Sequence, residues 1–336
     1  MKIIIITSTP SFYKDNLFVK LQEKCAINVI YTNNVRIRRE PSFYTNYFTN
    51  SNYLSKWNFL KNILFIFKSR KYDSIILSGW DDIYYWIARF ILPKSKLKII
   101  IESSLYEYKK NNLLDYLKIF FLKGIHTAIV SGSPQEYLIR NFKFQGDIIK
   151  SYGVGVLDFK YTRPLRLSKY NINKFIFIGR IAKVKGIDLL LEYFKNNKQS
   201  LLYIVGNYED LSYKKDIDNI FNIKYLGYKN REELTQIFLD SDVLILPSIQ
   251  EPWGLVVEEA IYHGLPVIVS NNVGCSIDIV KNYNLGLIFE CENYFDFENS
   301  IKNMTDLKNY EFYRDNIYNY DFRQKELTYI NSFLND

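Results

Sequence analysis

Short runs rich in Ile, Val and Leu alternate with amphipathic stretches along almost the whole chain, and this alternation limits the fold more than any other feature. In the first half the runs are Ile3–Thr7, Ile27–Tyr31, Ser74–Ser78, Lys98–Ile101 and Thr127–Val130. Between them, Lys14–Lys24, Leu54–Lys68, Ile83–Leu92 and Asn112–Lys123 carry apolar residues at helical spacing. A run that is apolar throughout needs cover on both faces. Strands separated by helices achieve this in a parallel sheet with helices packed on either side. Ser133-Pro134-Gln135-Glu136 marks one helix start, with Ser as cap, Pro at the first helical position and Glu three residues beyond Ser.

A turn-rich stretch from Tyr152-Gly-Val-Gly155 through Pro164 to Asn173 interrupts the pattern. Strand-like runs then resume at Phe175–Ile178, Leu201–Val205, Lys224–Leu226, Val243–Leu246, Val267–Ser270 and Leu287–Phe289. Asn230-Arg-Glu-Glu233 is a capping-box pattern opening a helix to about Asp240. Another helix starts near Gly254 and ends before Gly264, with Pro266 beyond it. The reading is α/β: two doubly wound, Rossmann-like parallel-sheet domains at 1–160 and 174–318, with a linker at 161–173. A chain of 336 residues is long enough to give each domain a full core.

Composition removes several classes of function. Three cysteines, Cys25, Cys275 and Cys291, lie far apart with no CxxC spacing, and only His126 and His263 could supply imidazole. That argues for a reducing compartment and against a zinc or His-built metal centre. The 17% aromatic content comes with abundant Ile, Asn and Lys and reads as codon bias rather than a binding platform. Residues 1–160 hold 24 Lys and Arg against 12 Asp and Glu, whereas 161–336 hold 20 against 24. A first half this basic is suited to an anionic partner such as a phospholipid surface, a phosphorylated acceptor or nucleic acid. Lys2–Thr7 is too short for an export signal, and no apolar stretch approaches the roughly 20 residues of a membrane span. A soluble or surface-lying protein is expected.

Doubly wound domains bind ligands at the carboxyl ends of their strands, so the loops after strands carry the functional information. A dinucleotide or P-loop domain needs glycine after its first strand, where backbone must approach phosphate. Here that turn is Ser8-Thr9-Pro10-Ser11, and the first glycine of the chain is Gly79. In the second half, Gly179-Arg180 follows a strand and Lys185-Gly186 precedes a helix. Two cations so placed can hold a diphosphate, Arg through its planar fork and Lys as a point charge; the plainer alternative is a pair of solvated surface charges.

Pro247-Ser-Ile-Gln-Glu251-Pro-Trp-Gly254-Leu-Val-Val-Glu258-Glu259-Ala is more telling. Glycine at a helix entrance lets an anion approach the free amides of Gly254, Leu255 and Val256 at the positive end of the helix dipole. Carboxylates at Glu251 and Glu259, on the order of 10 Å apart if 254–259 is helical, could each grip vicinal hydroxyls on either side of such an anion. The alternative is that Glu251 caps the helix and Glu259 is solvated. Glu258 is expected to face solvent.

Together, Gly179-Arg180…Lys185-Gly186, Leu226-Gly227-Tyr228, Asp240–Ser248, Glu251…Glu259-Ala260 and Gly264–Val267 resemble the retaining glycosyltransferases of family 4, the glycosyl transferases group 1. The resemblance spans about 150–290 and is weak before it, resting on Ser131-Gly-Ser133 and on Tyr152–Gly155 leading to Asp158. It implies a GT-B fold, two domains facing across a cleft, with a helix near 319–336 crossing back onto the first domain. It implies that Arg180 and Lys185 neutralise a donor diphosphate, Glu251 contacts the donor sugar and Glu259 the ribose. Gly179, Trp253, Gly254, Leu255 and Val256 would surround sugar and phosphate, with Gly206 and Tyr228 near the base. No cofactor or metal is implied, since the cations and the helix dipole replace a divalent ion. The donor would be a UDP- or GDP-linked sugar and the acceptor a glycan or lipid-linked glycan of bacterial surface polysaccharide.

The sequence departs from many relatives in lacking a glycine-rich first loop, and His126 is no clear counterpart of the first-domain histidine that some carry; it reads as structural, and His263 as a helix cap. Acceptor-side candidates are therefore strand-end residues: Asp81, Glu102 and Ser103. Trp57, Leu60, Leu64 and Phe67 share a helical face among Lys56, Lys61, Lys68, Arg70 and Lys71, which suits either an anionic membrane or packing on the sheet. Arg36, Arg38 and Arg39 could contact an acceptor phosphate. A cytoplasmic enzyme, either free or peripheral on the inner face of the plasma membrane, is the expectation. A nucleic-acid binder, which has no need of the carboxylate pair beside a helix entrance, and a non-catalytic scaffold of the same fold, which only turnover excludes, are the competing readings.

Overall fold

The computed structural model describes residues 1–8, 10–32, 48–55, 58–156 and 171–335. Thr9, Arg36, Arg38, Arg39, Lys56, Trp57 and Asp158, and most of the linker expected at 161–173, lie outside them. The chain divides into two compact units, Met1–Phe159 with Arg323–Asp336, and Lys160–Phe322.

The first unit contains β1 (Lys2–Thr7), α1 (Phe12–Gln22), β2 (Ala26–Tyr31), β3 (Ser51–Tyr53), α2 (Phe59–Phe67), β4 (Ser74–Leu77), α3 (Ile83–Ile91), β5 (Leu97–Ile101), α4 (Asn112–Leu122), β6 (Thr127–Val130), α5 (Ser133–Asn141) and β7 (Asp147–Lys150). Its seven strands are parallel, in the order β3-β2-β1-β4-β5-β6-β7. The central β1 explains the unbroken isoleucine run. Ile4 and Ile6 enter one core with Ile66 of α2, Tyr85 and Ala88 of α3 and Phe121 of α4, while Ile3 and Ile5 enter another with Leu17, Phe18 and Leu21 of α1.

The second unit contains β8 (Lys174–Ile178), α6 (Ile187–Asn196), β9 (Leu201–Val205), α7 (Tyr213–Asn219), β10 (Ile223–Gly227), α8 (Arg231–Asp240), β11 (Val243–Leu246), α9 (Leu255–Tyr262), β12 (Val267–Ser270), β13 (Gly286–Phe289), α10 (Tyr294–Thr305) and α11 (Leu307–Asn319), followed by α12 (Phe322–Leu334). Its six parallel strands run β10-β9-β8-β11-β12-β13. From Arg323 onward α12 belongs to the first unit, where Tyr329, Ile330 and Phe333 join the core behind Ile3 and Ile5. Both sheets are doubly wound, and both halves of the Asn230–Glu233 capping box form, at 2.9 Å each.

Three local expectations are corrected. The edge strands β3 and β7 carry too few buried apolar residues to stand out in sequence. The second helix begins at Phe59, not Leu54: Leu54 extends the β3 edge, its N–H donating to Tyr31 O at 2.9 Å, and Asn58 caps the helix by accepting from Lys61 N at 2.9 Å. Gly132, not Ser133, is the N-cap of α5. Lys150 Nζ donates to Ser133 Oγ at 3.0 Å and pairs with Glu136 at 2.9 Å, so these side chains tie α5 to β7 instead of capping it.

Candidate active site

In the second unit the loops following β8, β9 and β11 hold one another in place through glycine. Gly206 follows β9 with φ +134°, and a Cβ there would stand 2.0 Å from Gly179 O, so these two turns touch backbone to backbone. Ile181 then pairs with Tyr208, and Glu209 N donates to Ile181 O at 3.1 Å. This registers the Glu209 carboxylate against the Arg180 guanidinium in an ion pair that is half exposed on both sides. A pair so open to water is weakly held and is easily exchanged for a phosphate.

Lys185 closes a single 3-10 turn, Lys183–Lys185, and Gly186 follows with φ +71°. A Cβ at Gly186 would lie 2.0 Å from Pro247 O, and Ile249 N donates to Val184 O at 2.9 Å, which clamps this turn to the loop after β11. The result is a short contact between Lys185 Nζ and Glu251 Oε2 at 2.6 Å, the side chains only 12% and 16% exposed. Gly186→Ala is expected to destabilise the second unit by about 2 kcal/mol or more, since the left-handed backbone alone costs about 1–2 kcal/mol. Calorimetry should show the transition lowered by roughly 4–8 °C.

The Glu251 loop lies against the segment after β12: Glu251 N donates to Asn272 O at 3.3 Å and Gly274 N to Glu251 O at 3.0 Å. Gly254 is the N-cap of α9 with φ +96°, and it offers no side chain to occupy the amides of the first turn. Two expectations change here. Trp253 is buried, and its indole N–H donates to Glu258 Oε1 at 2.5 Å, so it supports the loop from within rather than walling a ligand. Glu258 is buried with it, not solvent-facing, because helical side chains lean toward the N-terminus and carry this carboxylate back over the loop.

Glu259 sits on the next helical position and is partly exposed. Burial of its carboxyl pushes its pKa up to about 7, the neighbouring Glu258 adds to the shift, and Arg231 opposes it. A hydroxyl donates more strongly to the ionised carboxylate than to the neutral acid. Affinity for a nucleotide sugar, whose doubly esterified diphosphate does not titrate in this range, is therefore expected to rise about tenfold from about pH 6 to about pH 8. Calorimetry at several pH values, with Glu259→Gln abolishing the slope, tests this. Folding has the opposite sign: the folded state keeps the proton that the unfolded chain has lost, so this group's contribution to stability falls as pH rises from about 4.5 through 7.

Gly206 N donates to Gly227 O at 2.9 Å, which sets the exposed Tyr228 beside the Gly206 turn. The rings of Tyr208 and Tyr225 meet at a tilt of 51° with centroids 4.7 Å apart. Tyr208 and Glu209 were not singled out from sequence; their signal is position alone, in the loop following a strand end of a doubly wound sheet.

In the first unit Asp81 and Glu102 flank buried Tyr85, whose hydroxyl burial raises well above its usual range, with Asp82, Asp81 and Glu102 adding to the shift. Asp82 caps α3 and accepts from Thr32 Oγ1 at 2.5 Å; Glu102 lies 3.8 Å from Lys14, and Ser103 is exposed beside it. These residues gather at the carboxyl ends of β1, β4 and β5. His126 stands at the opposite strand ends, 2.9 Å from Thr127 Oγ1, and His263 ends α9 with its ring stacked on Phe238 at 4.8 Å. Among the described residues no group of three or more His, Cys, Asp or Glu side chains could hold a metal ion.

Residues 165–320 match the family described as Glycosyl transferases group 1. The chain is similar to an uncharacterized 41.2 kDa protein in the cps region of Klebsiella pneumoniae, 30% identical over 222 residues that make up 63% of this chain and 52% of that one. It is also similar to the UDP-Gal:alpha-D-GlcNAc-diphosphoundecaprenol alpha-1,3-galactosyltransferase of Escherichia coli, 35% identical over 151 residues, 40% of this chain and 38% of that one. The chain spans about half the length of the first curated relatives it matches. Among solved structures, the lipopolysaccharide outer core galactosyltransferase WaaB superposes with a TM-score of 0.74 at 16% identity, covering 99% of both chains. Anabaena Alr3699/HepE, in complex with UDP and glucose, gives a TM-score of 0.68 at 14% identity over 99% of this chain and 95% of that one. The fold is GT-B.

Proposed function

From the premise that residues 165–320 belong to the glycosyl transferases group 1, we propose that this protein transfers a sugar, with retention, from a UDP- or GDP-linked donor to a hydroxyl of a glycan or lipid-linked glycan in surface polysaccharide synthesis. The observation that carries the reading is the 2.6 Å Lys185–Glu251 contact on loops leading to the open N-terminus of α9. A cation is paired there with a carboxylate three residues before the N-cap of a helix, and that N-cap supplies no side-chain bond to the first-turn amides, which suits a sugar diphosphate.

The bond between the anomeric carbon and the diphosphate oxygen breaks as the acceptor hydroxyl forms a new bond on the same face, and the hydroxyl proton passes to the departing phosphate. Arg180 exchanges Glu209 for the diphosphate, Lys185 and the amides of Gly254, Leu255 and Val256 take up the growing charge, and no divalent ion is needed. Stabilising that leaving group in a preorganised site is the largest contribution. Glu251 holds sugar hydroxyls and Glu259 the ribose, with Gly179 and Gly206 keeping the turns close and Tyr228 beside the base. Asp81, Glu102 and Ser103 serve the acceptor. The closeness in kind of the cps-region and diphosphoundecaprenol-sugar relatives supports a surface-glycan acceptor.

A panel of nucleotide sugars tested for thermal stabilisation, followed by product analysis of the transferred sugar's anomeric configuration, tests the reading. Stabilisation by UDP or GDP sugars and an α-linked product from an α-linked donor are expected. No response to any nucleotide, together with steeply salt-dependent oligonucleotide binding, would overturn it.

A further inference from the structure

Three neighbouring helices of the first unit present apolar side chains to solvent. Along α2, Asn62 and Ile66 turn inward, whereas Leu60 (74% exposed), Leu64 (63%) and Phe67 line the outer face. On α4 only Phe121 and Leu122 are buried, leaving Leu113 (70% exposed), Tyr116, Leu117 and Phe120 outside. The sheet-packing alternative for the α2 stripe is thereby corrected: its leucines face away from the core.

These residues are not scattered, because α3 bridges the two helices. Phe59 lies 6.0 Å from the Tyr84 ring, and Arg70 bonds Ile91 O at 2.9 Å while covering the Phe67 ring at 4.1 Å. On the other side Phe90 lies 6.0 Å from Phe120, and the Arg89 guanidinium covers both rings at 4.7 and 4.8 Å. A continuous apolar band of this kind marks an interaction surface.

Charge identifies the occupant. Lys61, Lys68, Arg70 and Lys71 are exposed around α2, which has no acidic residue; Lys109 and Lys110 precede α4 and Lys123 follows it. The one carboxylate of α4, Asp115, is turned to Tyr108 Oη at 2.5 Å and to Asn111 N. Beside the end of α4, a cavity of about 420 Å³ is lined by Lys94, Lys123 and Lys143, with one carboxylate, Asp147, 3.9 Å from His126 Nδ1. A twofold contact with a second copy would set these cations against one another. We propose that this band seats the protein on an anionic phospholipid bilayer, its leucines and aromatics at the headgroup–acyl boundary and its lysines on headgroup phosphates. The seating is independent of sugar transfer and is read without it.

The full-length chain, sedimented with vesicles of phosphatidylglycerol and phosphatidylcholine in equal amounts, is expected to bind, and to remain free with phosphatidylcholine alone. Leu60→Ser/Leu64→Ser should weaken binding by about 100-fold, and Lys61→Gln/Lys68→Gln by about 30-fold. Melting temperature and nucleotide-sugar stabilisation should stay unchanged in both, which establishes that the variants fold and separates this surface from the donor site. The proposal is overturned if the native chain ignores phosphatidylglycerol vesicles, if both variants bind them as before, or if light scattering finds a dimer that the leucine variant dissociates.

Discussion

Lys185→Ala is expected to lower kcat/KM for sugar transfer by about 10³-fold while the chain stays folded. Removing one preorganised donor to a developing anion costs about 10²–10³-fold in general. Lys185 stands at the upper end because its ammonium is largely screened from water and its turn is fixed to the next loop: Gly186 lies backbone to backbone against Pro247 O, and Val184 O accepts from Ile249 N. Arg180→Ala should cost less, about 10–100-fold, because its guanidinium is half exposed and water partly replaces it. Lys185→Arg should recover little, since the planar fork does not reproduce a point charge at the same place. One ambiguity needs removing: the alanine variant also leaves Glu251 without its cation. The double variant Lys185→Ala/Glu251→Gln relieves that charge, and any loss of transfer beyond that of Glu251→Gln alone belongs to the missing ammonium. Steady-state kinetics within about tenfold of the native protein for Lys185→Ala would remove this residue from the chemistry.

How much of this was legible in the sequence depends on which interaction set the structure locally. Strands such as Ile3–Ile6 and Val243–Leu246 are buried on both faces, so composition alone declares them. The edge strands β3 and β7 owe their state to a neighbour's free backbone edge, and side-chain pattern is silent about that. The carboxylate pair Glu251 and Glu259 could be found because a fixed spacing along one loop and helix carries it. Glu258 could not be placed, since its burial depends on the indole N–H of Trp253 five residues back. Arg180's partner Glu209 comes from another strand altogether, through a register between Ile181 and Tyr208 that no local motif encodes. Nor did the sequence decide whether the α2 stripe faces the sheet; Asn62, bonded to Ser55 O and Tyr84 Oη at 2.7 Å each, is the polar residue that turns inward and rotates the leucines out.

The two carboxylates of the loop and helix are expected to fail differently. Glu259→Ala should weaken nucleotide affinity by about 10²–10⁴-fold, because two hydroxyl bonds to a charged acceptor are lost, each worth about 1.5–3 kcal/mol. Glu251→Ala should leave the affinity for the bare nucleoside diphosphate within about threefold, or tighten it, since Lys185 is then released from the carboxylate 2.6 Å away and its field acts on phosphate alone. Transfer should nevertheless fall by about 10²–10³-fold, because the sugar loses the group that orients it at the anomeric carbon. Titration calorimetry with UDP and GDP, set beside turnover of each variant, reads both effects. The contrast is diagnostic because a merely structural role for either residue would lower binding and turnover together with the melting temperature. Equal nucleotide affinity in the two variants would mean that the ribose is not held by α9, and the donor would have to lie elsewhere along the carboxyl ends of β8 and β11.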